Sequence, residues 1–165
     1  MSAARPQCLT THLVALLDQA FDRGSWHGPN LRGSLRGLSF DAVLWRPGRG
    51  RHNIWELMLH AAYWKYMVRR RMTQERRAFG RPGRNFWVRS TTAQPSEWRS
   101  DLALLIHEHH LLRNLVTAFP AGRLNARVGR SRFTYAQMVQ GVAAHDVYHA
   151  GQIQLLRRLY TRGVR

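Results

Sequence analysis

Two histidines four residues apart stand in the stretch GVAAHDVYHAGQIQLLRRLY, residues 141–160. On a helix turning about 100° per residue, His145 and His149 lie about 40° apart, on one face. The apolar residues nearest that direction are Met138, Val142, Ile153 and Leu156, so the pair faces the core, with Gln152 beside it. Two neutral imidazoles buried without partners are costly. A metal ion removes that cost, because both rings can turn a nitrogen to one ion across a single helical turn. For the pair alone, two hydrogen-bonded core histidines explain the spacing equally well.

A third histidine tilts the balance. His60 shares a stripe with Leu57, Trp64 and Met67 on an earlier helix, so it too points inward. Three inward histidines from two helices make one face of a metal site. Positions then stay open for water and substrate, as catalytic zinc sites require. The pattern is not the zincin H-E-x-x-H, because residue 146 is aspartate. Asp146 points about 100° away from His145, which leaves it to orient a neighbour or to face the rim.

Other residues are weaker candidates. Glu56, one turn before His60, has a carboxylate suited to a base, although a capping role explains it. His109 lies on the stripe of another helix, as an extra ligand or supporting group or, more simply, a satisfied core histidine. His107 and His110 look peripheral, and Trp26 and His27 fit a pocket mouth. Gly141 leaves space one turn before His145, or eases helix packing. Tyr63 and Tyr148 flank the histidines and offer hydroxyls, or belong to an aromatic core. No residue is identified as the general acid or base. A carboxylate-bridged di-iron site needs glutamates on every helix, and nine acidic residues in the whole chain cannot supply them.

The elements that must position these groups read as four long helices. The first spans about 9–23. The second spans about 54–78, opened by an Asn53–Glu56 capping box. The third runs from about Ser96 to Phe119, between Pro95 and Pro120. The fourth starts at Thr134, with Gln137 completing another capping box, and runs to about Thr161. A short helix fits 39–44, and FWVRS and LNARVGRSRFT offer at most a weak strand pair. Four amphipathic helices predict an all-α four-helix bundle in one domain over 1–165. The long connection at 79–95 gives helices two and three room to run parallel.

Composition narrows the function classes. No apolar run is long enough to span a membrane, and the N-terminus does not read as a signal peptide, so a cytoplasmic location is expected. Cys8 is the only cysteine, which excludes an internal disulfide and a cysteine-based zinc site. The formal charge is +17, from 26 basic and 9 acidic residues. That makes nucleic acid a legitimate partner class. However, Lys65 is the only lysine, and so complete a use of arginine reads as coding bias. The one dense basic run, VRRRMTQERR at 68–77, reads as a solvated helix face. The charge also suits an anionic small molecule.

Residues 53–72, NIWELMLHAAYWKYMVRRRM, resemble the second helix of DinB-like proteins, and AAHDVYHAGQIQLLRRL at 143–159 resembles their fourth. LRGLSFDAVLWRPGRGRHNIWE, residues 35–56, matches the segment leading into that second helix. The resemblance, to the superfamily often called DinB/YfiT-like, covers most of the chain. It implies a four-helix bundle in up-down-down-up order, with long connections between helices one and two and between two and three. It implies a divalent metal on His60, His145 and His149, zinc or nickel ahead of manganese or iron, and a homodimer. Relatives include metal-dependent hydrolases, S-transferases that use bacillithiol or mycothiol, and a thiol-dependent maleylpyruvate isomerase. The expectation is therefore a metal-dependent enzyme that activates water or a thiol, acting on a small, anionic or thiol substrate. The alternatives are a basic nucleic-acid-binding bundle and a non-catalytic metal-binding one. Kinship of fold does not choose among these reactions.

Overall fold

The computed structural model describes residues 4–81 and 92–163. Among them the chain is all-α, with six α-helices and no strand. The helices are α1 (Ala4–Phe21), α2 (Leu31–Ser34), α3 (Phe40–Leu44), α4 (Ile54–Thr73), α5 (Pro95–Ala118) and α6 (Tyr135–Gly163). FWVRS lies outside the described residues. LNARVGRSRFT contributes only an isolated antiparallel bridge between Arg127 and Thr134.

Local signals set most boundaries. Asn53 caps α4 by accepting the Glu56 N–H at 2.9 Å, as Asn and Asp do at helix starts. Thr134 and Gln137 make a complete reciprocal box at the start of α6, at 3.2 and 2.9 Å. α5 opens with Pro95 at its first turn and a box that the sequence reading missed, in which Gln94 N–H donates to Glu97. α4 ends at Thr73, not near 78. Gln74 takes a left-handed conformation, and its N–H closes onto the Arg70 carbonyl at 2.8 Å. Glu75 N–H then turns back to the Thr73 hydroxyl, and Arg77 offers its carbonyl to Tyr66. Those bonds fold the next residues against the helix instead of extending it. α2 is a further departure from the sequence reading. Its cap is Asn30, which accepts the Gly33 N–H.

α4 packs on α5 and α6, and α1 packs on the same two helices. Their apolar faces form two clusters. One gathers Leu13 and Leu17 of α1, Val68 and Met72 of α4, Leu112 and Val116 of α5, and Val139 and Val142 of α6. The other gathers Phe21, Leu31, Trp55, Leu59, Leu105 and Ile153. Along α4 the second cluster ends at Ala62 and the first begins at Val68. Lys65 falls in that gap, and on α6 His145, Asp146 and His149 fall between Ala143 of the first cluster and Ile153 of the second, while His60 lies on the second cluster's stretch of α4.

Candidate metal centre

His60 on α4 and His145 and His149 on α6 converge. The Nε2 of His145 lies 3.1 Å from Nε2 of His60 and 3.0 Å from Nε2 of His149. Ring centroids are 4.3–4.9 Å apart. One ligand atom from each ring lies within 4.8 Å of the others, a set that could hold a metal ion.

Gln152 settles the orientation of one ring. Its Oε1 accepts from Nδ1–H of His149 at 2.6 Å, and its amide donates to the Tyr148 hydroxyl at 3.1 Å. His149 therefore carries its proton on Nδ1 and turns an unprotonated Nε2 inward. Burial pushes the His149 pKa down to about 4, with His60 adding to the fall and Gln152 opposing it. Burial pushes His145 down to about 3, with further lowering from His149, His60 and Lys65. Both rings are neutral at pH 7, the form a metal requires.

The donor set fits a metal for a reason internal to the rings. His145 Nε2 faces two other nitrogens but can share only one proton between them, and its buried Nδ1 has no hydrogen-bond partner. Hydrogen bonds among the rings thus leave lone pairs opposed. A cation removes that opposition, and nitrogens bound tetrahedrally at zinc distances sit about 3.3–3.4 Å apart.

A cavity of about 420 Å³ opens beside the histidines. α4 contributes His60, Trp64, Val68 and Arg71, and α6 contributes Gln137, Met138, Gly141, Val142 and His145, with Phe133 at the rim. These positions recur every three or four residues, so each helix gives one stripe to the wall. A Cβ at Gly141 would meet nothing within 4 Å. Gly141 therefore widens the cavity and relieves no helix contact.

The remaining candidates lie elsewhere. Glu56 is fully buried, with its carboxylate held by both Arg46 guanidinium nitrogens and by His52 Nδ1 at 2.9 Å. It does not line the cavity. Tyr63 packs among Trp64, Tyr66 and Phe79. Tyr148 is 63% exposed and touches the site through Gln152 and the His149 ring. His109 is a core histidine stacked on Phe21 at 3.8 Å, and burial drives its pKa down to about 2. It is not part of the histidine cluster. Trp26 is fully exposed, while His27 borders a separate depression between α1 and α6.

Asp146 does not face the rim. It is fully buried and ion-paired with Lys65, itself fully buried, whose Nζ lies 3.5 Å from His109 Nδ1. Burial raises the Asp146 pKa to about 6 against the pull of Lys65. In the sequence Lys65 stands out as the lone lysine, and its spacing from Ala61, Val68 and Met72, all buried, is the signal that could have placed it inside. The 68–77 run is largely the solvated face expected, with Arg70, Arg71, Arg76 and Arg77 exposed, and its exception among the arginines is Arg69. Arg69 is buried between Glu108 and Glu75, and Arg71 lines the cavity. Glutamates brought from α5 and from the turn after α4 neutralise Arg69, which lets it leave water.

These features define an all-α protein with a three-histidine cluster from two helices, set beside a largely apolar cavity. Residues 24–153 match the family model of the DinB superfamily, and the chain belongs to that superfamily. No curated protein and no solved structure matches the chain.

Proposed function

We propose that this protein is a metal-dependent enzyme whose His60, His145 and His149 hold one divalent ion, zinc or nickel before manganese or iron. The observation that carries the reading is the convergence of three Nε2 atoms at the edge of a cavity large enough for a small molecule. A bound ion would lower the pKa of a water or thiol at its open position, which serves hydrolysis and thiol transfer alike. The chain's own residues supply the rest. Gln152 keeps His149 in the required tautomer. Trp64, Met138 and Val142 exclude water from one side, and Gly141 leaves room for the substrate. Cys8 is exposed on α1 and has no place in this chemistry.

We take the four long helices as a four-helix bundle in up-down-down-up order. Trp55 meets Asp101 and Arg69 meets Glu108, so contacts advance together along α4 and α5. His60 meets His149, and Lys65 meets Asp146, so they run in opposite senses along α4 and α6. Membership in the superfamily supports the same order, and it supports a homodimer, for which exposed Leu155 and Leu159 on α6 offer apolar surface. A sedimenting mass of 19.2 kDa, that of one chain, would count against the dimer.

Elemental analysis of untagged, dialysed protein tests the metal. Wild type should keep about one ion per chain, and His60→Ala and His149→Ala should lose it. A wild type that stays metal-free and gains no stability from zinc, nickel or manganese overturns the reading.

A further inference from the structure

We infer that the cavity beside the histidines takes a small molecule with an apolar body and a carboxylate, and that Arg71 is the residue that selects the carboxylate. This rests on the cavity being the substrate site proposed above. Arg71 lies eleven residues after His60, three turns along the same face of α4. Helical side chains lean towards the N-terminus, and the guanidinium comes to 6.0 Å from the Trp64 ring. On its other sides Trp64 stands 6.2 Å from the His60 ring and 6.1 Å from the His145 ring. The indole thus separates a permanent cation from the metal-ligating nitrogens.

Arg71 differs from its neighbour Arg69 in what holds it. Arg69 has Glu108 and Glu75. Arg71 is exposed at the open side of the cavity, with the Trp64 face beside it and no carboxylate partner among the described residues, and no acidic side chain lines the cavity. A planar guanidinium left in that state suits a carboxylate, which it can meet through two parallel hydrogen bonds. The wall between Arg71 and the histidines is Trp64, Val68, Met138 and Val142. Hydroxyl-rich or peptide-like groups placed there would lose water with few partners in return. An aryl or alkyl body loses nothing. The ligand then spans from Arg71 to the histidines, with its reacting group at the latter.

Calorimetric titration with 4-phenylbutyrate and its neutral counterpart 4-phenylbutanol tests this, using zinc-loaded and metal-free protein. Metal-free protein is the decisive arm, because there the carboxylate cannot gain by binding an ion. Wild type should prefer the acid at least about tenfold in both forms. Arg71→Gln should remove the preference while alcohol binding and zinc content stay unchanged, and Arg71→Lys should keep part of it. Arg132, whose guanidinium lies 4.8 Å from the Phe133 ring at the rim, is the control for general positive field. Arg132→Gln should weaken acid binding less than Arg71→Gln. Equal binding of acid and alcohol, a preference confined to zinc-loaded protein, or equal losses in the two arginine variants would each overturn the inference. A protein that takes up no metal yet keeps an Arg71-dependent preference would end the metal-enzyme reading and leave this one standing.

Discussion

Helices α4 and α6 send polar side chains into two adjacent clusters. In one, Lys65 pairs with Asp146 and reaches His109 of α5, and all three groups are shut away from solvent. In the other, His60, His145 and His149 turn nitrogens towards one another beside an open cavity. The first is charged and compensated. In the second, burial keeps His145 and His149 neutral, Gln152 fixes the tautomer of His149, and lone pairs are left opposed. Each cluster leaves one buried atom without a hydrogen bond, Asp146 Oδ1 in the first and His145 Nδ1 in the second, so what separates them is that the first is closed by an ion pair and the second turns its nitrogens to one point beside a cavity. Both are built across the contact between α4 and α6, so one packing arrangement positions both.

The comparison can be broken most sharply at Asp146. Asp146→Ala strands a buried ammonium and should cost about 3–5 kcal/mol in urea unfolding, whereas Lys65→Met with Asp146→Leu should be near neutral or stabilising. A loss well under that for Asp146→Ala would mean that Lys65 finds water or another partner. The histidines should behave in the opposite way. Zinc at a thousand times its Kd should raise wild-type stability by about 4 kcal/mol. His149→Ala should abolish that gain while leaving metal-free stability nearly unchanged, as thermal unfolding with and without zinc would reveal.

Smaller effects sharpen the contrast. Gln152→Ala should weaken zinc binding about 10- to 100-fold, read by competition with a chelating dye, without touching the Lys65 cluster. In metal-free protein His109 adds to a pH response that His145 and His149 share, since burial lowers all three. The folded pKa of His109, about 2, lies below the ordinary 6.5, so the unfolded chain takes up a proton that the folded chain refuses. Stability is then full above pH 6.5 and falls as pH drops below it, by about 1.4 kcal/mol per pH unit for one proton. His109→Gln should lower the slope of metal-free stability against pH between 6.5 and 4 by that one proton. Gly141→Ala is the smallest change. Helix propensity favours alanine by up to about 1 kcal/mol, so the variant should be slightly more stable while binding 4-phenylbutyrate more weakly. Unchanged binding would mean that the open space beside Gly141 is not where the ligand lies.

Much of this protein was legible in the residue order. The spacing of His145 and His149, their apolar neighbours and the stripe containing His60 placed three imidazoles on inward faces, because helical period alone fixes direction. Asn53, Thr134 and the prolines marked helix starts, because capping and proline geometry are local. Other features depended on partners distant in sequence. Asp146 is an interior ion because Lys65 lies across from it, 81 residues away. Arg69 is buried because Glu108 comes to it from α5, and α4 stops at Thr73 because the following turn bonds back to it. Arg71 faces water, as its place in the run implies, and that it also borders a cavity turned on how α6 lies against α4. Local period determines which way a side chain points, and only packing determines what it meets there.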